Sequence, residues 1–208
     1  MELDFADPPR AVKVALISGR GHYQEVIQTV LAAKTSVWIA TANLKALYVE
    51  SRPGAARRRG AYHSVIADLA SMANRGVEVR ILHARAPSQA FMAELKRQKA
   101  PRGLELRACP RVHLKAVIVD GQHLYLGSAN WTGAGLGAKG EGRRNFEVGI
   151  WTQDEPTLDR IQALFDEIWR GGECRGCKLR ALCALPLDSK ETARRSLSRR
   201  STLKTSVG

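Results

Sequence analysis

The stretch Val112-His113-Leu114-Lys115-Ala116-Val117-Ile118-Val119-Asp120-Gly121, with Leu124-Tyr125-Leu126-Gly127-Ser128-Ala129-Asn130 close behind, decides how this chain is read. Val112, Leu114, Ala116 and Ile118 alternate with His113, Lys115, Val117 and Val119, the period of a strand. Residues i and i+2 of a strand share a face, so the imidazole of His113 and the ammonium of Lys115 are expected to point the same way. Asp120-Gly121 is a hairpin signal, and the second apolar run returns the chain to Gly127-Ser128. Ser128 and Asn130 are thereby brought back beside His113 and Lys115. A nucleophilic or acid–base nitrogen, a fixed cation and two neutral hydrogen-bonding side chains suit a phosphate diester. They lack the carboxylate cluster that a divalent metal prefers.

The spacing reads His-x-Lys, four residues, Asp, six residues, Gly-Ser-x-Asn. It resembles the HKD signature of the phospholipase D superfamily at every defining position, and in size the chain is similar to the small single-motif bacterial endonucleases of that superfamily. The resemblance extends over residues 10 to 170. It takes in the segment from Tyr23 to Asn43, the turn Asn74-Arg75-Gly76 into Val77-Glu78-Val79-Arg80, and Arg144-Asn145-Phe146-Glu147-Val148-Gly149.

What the resemblance implies is a two-step phosphoryl transfer. One histidine attacks phosphorus to give a phosphohistidine; a second protonates the leaving oxygen and then activates water. Two His-x-Lys units are required, and this chain has one: His22, His63, His83 and His123 have no lysine two positions on. The expected solution is a homodimer with the site on its two-fold axis. His113 then serves as nucleophile or general acid, Lys115 and Asn130 bind phosphate, and Ser128 assists through its hydroxyl. Glu147 is expected to bond an imidazole nitrogen and fix its tautomer. Asp120, at the turn, is read as structural, holding the hairpin through its own backbone contacts, and His123 as exposed hairpin. Asn43 and Lys45, just past the strand Val37 to Ala42, occupy positions where the superfamily places substrate contacts. Arg57, Arg58 and Arg59 could neutralise flanking phosphates.

Alternating strand and helix signals predict an α/β fold, a mixed central sheet with helices on both faces. Helical stripes run over His22–Lys34, Tyr62–Asn74, Ser88–Gln98 and Pro156–Trp169, and strands over Val37–Ala42, Val77–Leu82, Leu104–Ala108 and Phe146–Trp151. Asn43 to Tyr62 reads as one long loop. The expected organisation is a catalytic domain over 1–170, a cysteine cluster over 171–187 and a basic disordered tail over 188–208. No long apolar run or basic-then-apolar leader is present, which leads to the expectation of a cytoplasmic enzyme without a transmembrane segment.

Lys and Arg outnumber Asp and Glu by 33 to 20, a net +13. The excess is clustered at Arg52 and Arg57–Arg59 and again at Arg194, Arg195, Arg199, Arg200 and Lys204. Like charges so gathered call for a polyanion, and nucleic acid, DNA ahead of RNA, is the expected partner. The competing readings are a phospholipase or phosphatidyl transferase on anionic lipid, for which an apolar docking segment is lacking, and a non-catalytic nucleic-acid-binding module, against which the intact motif argues.

Cys174-x2-Cys177-x5-Cys183, with Cys109 four residues before His113, leaves three readings open. They are a structural zinc, an iron–sulfur cluster, or free thiols. The spacing is similar to the distant-Cys, Cys-x2-Cys-x5-Cys staple of certain recombination and CRISPR-associated nucleases. Cys109 is the candidate fourth ligand if the C-terminal extension folds back toward the motif.

Overall fold

A computed structural model describes residues 4–50, 62–98 and 103–189. In chain order the elements are β1 (Ala15–Ser18), a π-wound turn (His22–Ile27) running into α1 (Gln28–Leu31), β2 (Ser36–Thr41), β3 (Tyr48–Glu50), β4 (Tyr62–Ser64), α2 (Val65–Asn74), β5 (Glu78–His83), α3 (Gln89–Arg97), β6 (Leu104–Ala108), β7 (Ala116–Val119), β8 (His123–Gly127), β9 (Val148–Thr152) and α4 (Glu155–Arg170). Seven strands form one mixed sheet in the order β1-β9-β8-β7-β2-β5-β6, and β3 pairs with β4 beside it. The pairs β2–β5 and β5–β6 are parallel, while β7, β8, β9 and β1 continue as an antiparallel meander.

Period-2 alternation sorts the sheet's side chains into two cores. Val37, Ile39, Val79, Ile81, Val117 and Val119 pack against Val26, Ile27, Val30, Ile66, Leu69 and Phe91 from the first three helices. Ala40, Leu82 and Ala116 face the other way, onto Phe165 and Trp169 of α4. Both faces are covered, so β7 is buried along its whole length and carries no polar face. The helices begin where the sequence supplies acceptors: Ser64 for α2, Ser88 for α3 and Asp154 for α4. Gly171, at φ 79°, ends α4.

Two boundaries depart from expectation. The strand of the motif starts at Ala116 rather than Val112, although the ladder persists as a Gly127 N–H to Lys115 O bond of 3.3 Å. The expected loop between Asn43 and Tyr62 contains β3, paired with β4 at Tyr48↔Ser64 and Glu50↔Tyr62. Three-residue strands are too short to display a period, which is why neither was foreseen. Leu187 of the cysteine segment packs with Val112, Phe165 and Trp169. Arg57, Arg58, Arg59 and the tail from residue 190 lie outside the described residues.

Candidate active site

The antiparallel meander puts the start of β7, the end of β8 and the start of β9 at one end of the sheet. His113 and Lys115 enter β7, Ser128 and Asn130 leave β8, and Glu147 precedes β9. His113 is exposed, and the Lys115 ammonium lies 3.0 Å from its Nδ1 and 3.1 Å from its Nε2. The two side chains therefore share a side, as the alternation requires. Burial holds the Lys115 ammonium below its usual pKa, and the anionic Glu147 nearby pulls it back up.

Ser128 clamps β8 to β9. Its N–H donates to Val148 O at 3.0 Å, and its hydroxyl accepts from Val148 N–H at 3.1 Å. That hydroxyl donates to Glu147 Oε2, while Asn145 Nδ2 donates to Oε1 at 3.1 Å. Glu147 is thus held by Ser128 and Asn145, not by the imidazole of its own chain. Asn130 Oδ1 accepts from Asn43 N–H at 3.0 Å and shares the one proton of the Thr41 hydroxyl, 3.3 Å away, with Asn43 O at 2.9 Å, so the Asn130 Nδ2 donors are left for a ligand. Asn43 therefore reaches the site through its backbone. Lys45 donates its N–H to Trp131 O at 3.0 Å, and its residue is exposed.

Asp120 is structural, but its partners are not those of its own hairpin. Asp120 and Gly121 take φ 55° and 63°, as the mirror-image type I turn demands. The carboxylate reaches across to the α1–β2 connection, accepting from Thr35 N–H at 2.8 Å, Ser36 N–H at 2.9 Å and Lys34 N–H at 3.0 Å. His123 stacks on Trp151 with ring centroids 5.5 Å apart and does not join the site.

Three supporting residues were not foreseen. Thr41, buried at the end of β2, also accepts from Trp131 N–H at 2.9 Å. The Tyr125 hydroxyl accepts from Ala129 N–H at 3.1 Å, ahead of Asn130. Burial pushes this phenol up to about 12; the Ala129 N–H opposes the shift and Glu147 adds to it. Its ring fits beneath the cross-strand pair Gly127↔Gly149, where a Cβ at Gly127 would come within 2.6 Å of Val148 O. His22 is fully buried and meets the Tyr125 ring edge-on at 5.4 Å. Burial lowers its pKa, against the pull of Gly19 O and Glu147, and its Nε2 has no partner among the described residues. A neutral, buried wall thus stands behind an exposed His–Lys pair. Neither Thr41 nor Tyr125 carries a local signal, since each sits inside an ordinary apolar strand.

A nucleophilic nitrogen, a cation and amide donors at one strand-end cluster can attack and hold a tetrahedral anion. A protein-family model described as "Cardiolipin synthase, PLD-like domain" matches residues 26–169. Among solved structures, NucT from Helicobacter pylori aligns at 20% identity and TM-score 0.51, over 76% of this chain and 95% of that one. Nuc, a phospholipase D family member from Salmonella typhimurium, aligns at 19% identity and TM-score 0.53, with the same coverages of 76% and 95%. Polyphosphate kinase from Porphyromonas gingivalis aligns at 15% identity and TM-score 0.52, over 75% of this chain but 26% of that one. At such identities the likeness is one of fold. No curated protein matches the chain. Among the described residues, no helix is long and apolar enough to cross a membrane.

Proposed function

Because the chain belongs to the phospholipase D-like family, whose members are phosphodiester hydrolases or transferases, we propose that it is a metal-independent endonuclease cleaving DNA, or RNA, through a phosphohistidine at a site shared by two subunits. The observation that carries the reading is the exposed His113 with the Lys115 ammonium 3.0 Å from its ring, in a chain with one such pair. In the first step the His113 nitrogen of one subunit bonds to phosphorus as the P–O ester bond breaks. The partner's imidazolium gives its proton to the leaving oxygen. In the second step that imidazole takes a proton from water, whose oxygen bonds to phosphorus as the P–N bond breaks. Lys115 and Asn130 Nδ2 hold the non-bridging oxygens throughout. Phe146, fully exposed at 107% beside Glu147, is an apolar side chain suited to the two-fold contact.

Nucleic acid is favoured over lipid by a neighbouring groove of about 280 Å³. It is lined by Tyr48 and Tyr62 of the small sheet and by Lys139 and Arg143 of the segment linking Asn130 to Glu147. Both tyrosines are exposed, at 41% and 48%. Aromatic faces beside cations suit stacked bases with flanking phosphates. The deciding experiment incubates purified protein with labelled DNA, RNA and phosphatidylcholine, with and without brief EDTA treatment. Cleavage of nucleic acid that survives EDTA is expected. A requirement for magnesium, or turnover of the lipid alone, would overturn the proposal.

A further inference from the structure

All four cysteines of the chain line one cavity of about 30 Å³, which they share with Ile168, Leu179 and Leu187. They arrive from two distant segments. Cys109 follows β6, fixed by its N–H to His83 O at 2.9 Å and by its carbonyl accepting from Val112 N–H at 3.0 Å. Residues 109–112 thus form the turn that delivers the chain to His113. The other three lie on successive tight turns of the C-terminal extension: Cys174 N–H to Gly171 O at 2.9 Å, Arg180 N–H to Cys177 O at 3.0 Å, and Cys183 N–H to Arg180 O at 3.1 Å. The extension then closes on the end of α4, where a Cβ on Gly171 would come within 2.8 Å of the Leu187 carbonyl carbon. Leu187 is the one well-buried apolar side chain among its described residues. So small a core does not hold a segment of this length, and small folds of this kind use a cross-link.

We propose that Cys109, Cys174, Cys177 and Cys183 are the four ligands of a single divalent ion of the zinc class, which staples the C-terminal extension to the turn that carries His113. All four are free thiols. Among the described residues, no three His, Cys, Asp or Glu side chains are drawn close enough to hold an ion as they stand. Ligation requires the thiols to turn inward, with Cys183 releasing the Leu179 carbonyl that it meets at 3.6 Å. Each S–H proton passes to solvent as its sulfur bonds the metal. Four thiolates around a dication leave a double negative charge. Arg111 lines the same cavity, and Arg180 reaches Cys174 O at 3.1 Å. Four thiolates are a closed donor set of the kind that holds structural zinc.

The test is metal analysis of the purified full chain, together with cobalt(II) substitution. One zinc per chain is expected, as are the visible bands of tetrahedral cobalt thiolate. Cys109→Ser should weaken metal binding by at least about tenfold although it lies far in sequence from the other three. A strong chelator should speed proteolysis within residues 171–189 of the wild-type chain. Zinc, but not magnesium, should restore any activity lost on prolonged chelation, which separates this site from the chemistry at His113. Four titratable thiols with no bound metal and no cobalt bands would sink the proposal. So would a disulfide between any two of the four, several irons with sulfide, or an unchanged cobalt spectrum in Cys109→Ser.

Discussion

The Ser128 hydroxyl donates to the Glu147 carboxylate, joining the end of β8 to the approach of β9 at the mouth of the site. Asn145 takes the second carboxylate oxygen at 3.1 Å. With both oxygens engaged, Glu147 is a fixed negative charge whose field reaches Lys115, Tyr125 and His22. A charge so placed shifts the ionisation of these three groups, second to their burial.

Replacing Glu147 by Gln keeps the shape and removes that field. Burial then acts on Lys115 unopposed, its pKa falls further, and the ammonium is lost at lower pH. The basic limb of the kcat/KM profile for Glu147→Gln should therefore move toward acid. A basic limb that stays in place or moves upward would show that Lys115 does not sense Glu147.

Thr41→Val is nearly isosteric but strips Trp131 N–H of its acceptor and Asn130 Oδ1 of a donor. Both stability and activity should suffer: about 1–3 kcal/mol in denaturant unfolding for the unsatisfied buried group, and a lower kcat as Asn130 loosens. Asn130→Ala removes the donors themselves and should lower kcat by about 10²–10³-fold. If Thr41→Val unfolds earlier yet keeps the wild-type kcat, Asn130 is positioned by Asn43 N–H alone.

Asp120 ties the hairpin to the α1–β2 connection. Burial by itself would raise its pKa, but the N–H groups of Ser36, Thr35 and Lys34, with the Thr35 hydroxyl, outweigh it and the net shift is downward. Its stabilisation is thus complete above the unfolded value of about 3.9, and is lost as pH falls through the lower folded value. Asn tolerates the positive φ of 55° at this position, so Asp120→Asn isolates the charge. The variant should be less stable by about 1.5–3 kcal/mol at neutral pH, with the gap closing below about pH 4. A gap that persists in acid would locate the cost in geometry rather than charge.

The legibility of these features follows the range of their contacts. The β7–β8 hairpin, its turn at Asp120-Gly121 and the joint aim of His113 and Lys115 depend on neighbours a few residues apart, and alternation alone exposes them. The same alternation overran at Val112–Lys115, because side-chain period continues where a strand has lost its ladder partners. The clasp of Asp120 on Lys34–Ser36, the grip of Thr41 on Asn130 and the wall of His22 against Tyr125 join segments far apart in the chain. Nothing local distinguishes those residues from ordinary turn or core positions. Glu147 was legible by its place after the motif, but its partners Ser128 and Asn145 were not.

One His-x-Lys per chain supplies either a nucleophile or a general acid, and His22, His63, His83 and His123 each lack the companion lysine. His83 is bonded to Arg85 O at 3.0 Å and His63 to Asp68 at 2.8 Å. The active species is therefore expected to join two copies of His113, Lys115 and Asn130 across a two-fold axis, with Phe146 in the contact. His113→Ala should abolish cleavage while leaving the melting temperature near wild type, because an exposed side chain contributes little packing. When that variant is mixed with wild type and subunits exchange, heterodimers hold one histidine and complete at most half of the reaction. Activity should then follow the square of the wild-type fraction. Phe146→Asp should shift sedimentation toward monomer and lose activity in parallel. A fully active monomer, or a loss linear in the wild-type fraction, would refute the shared site.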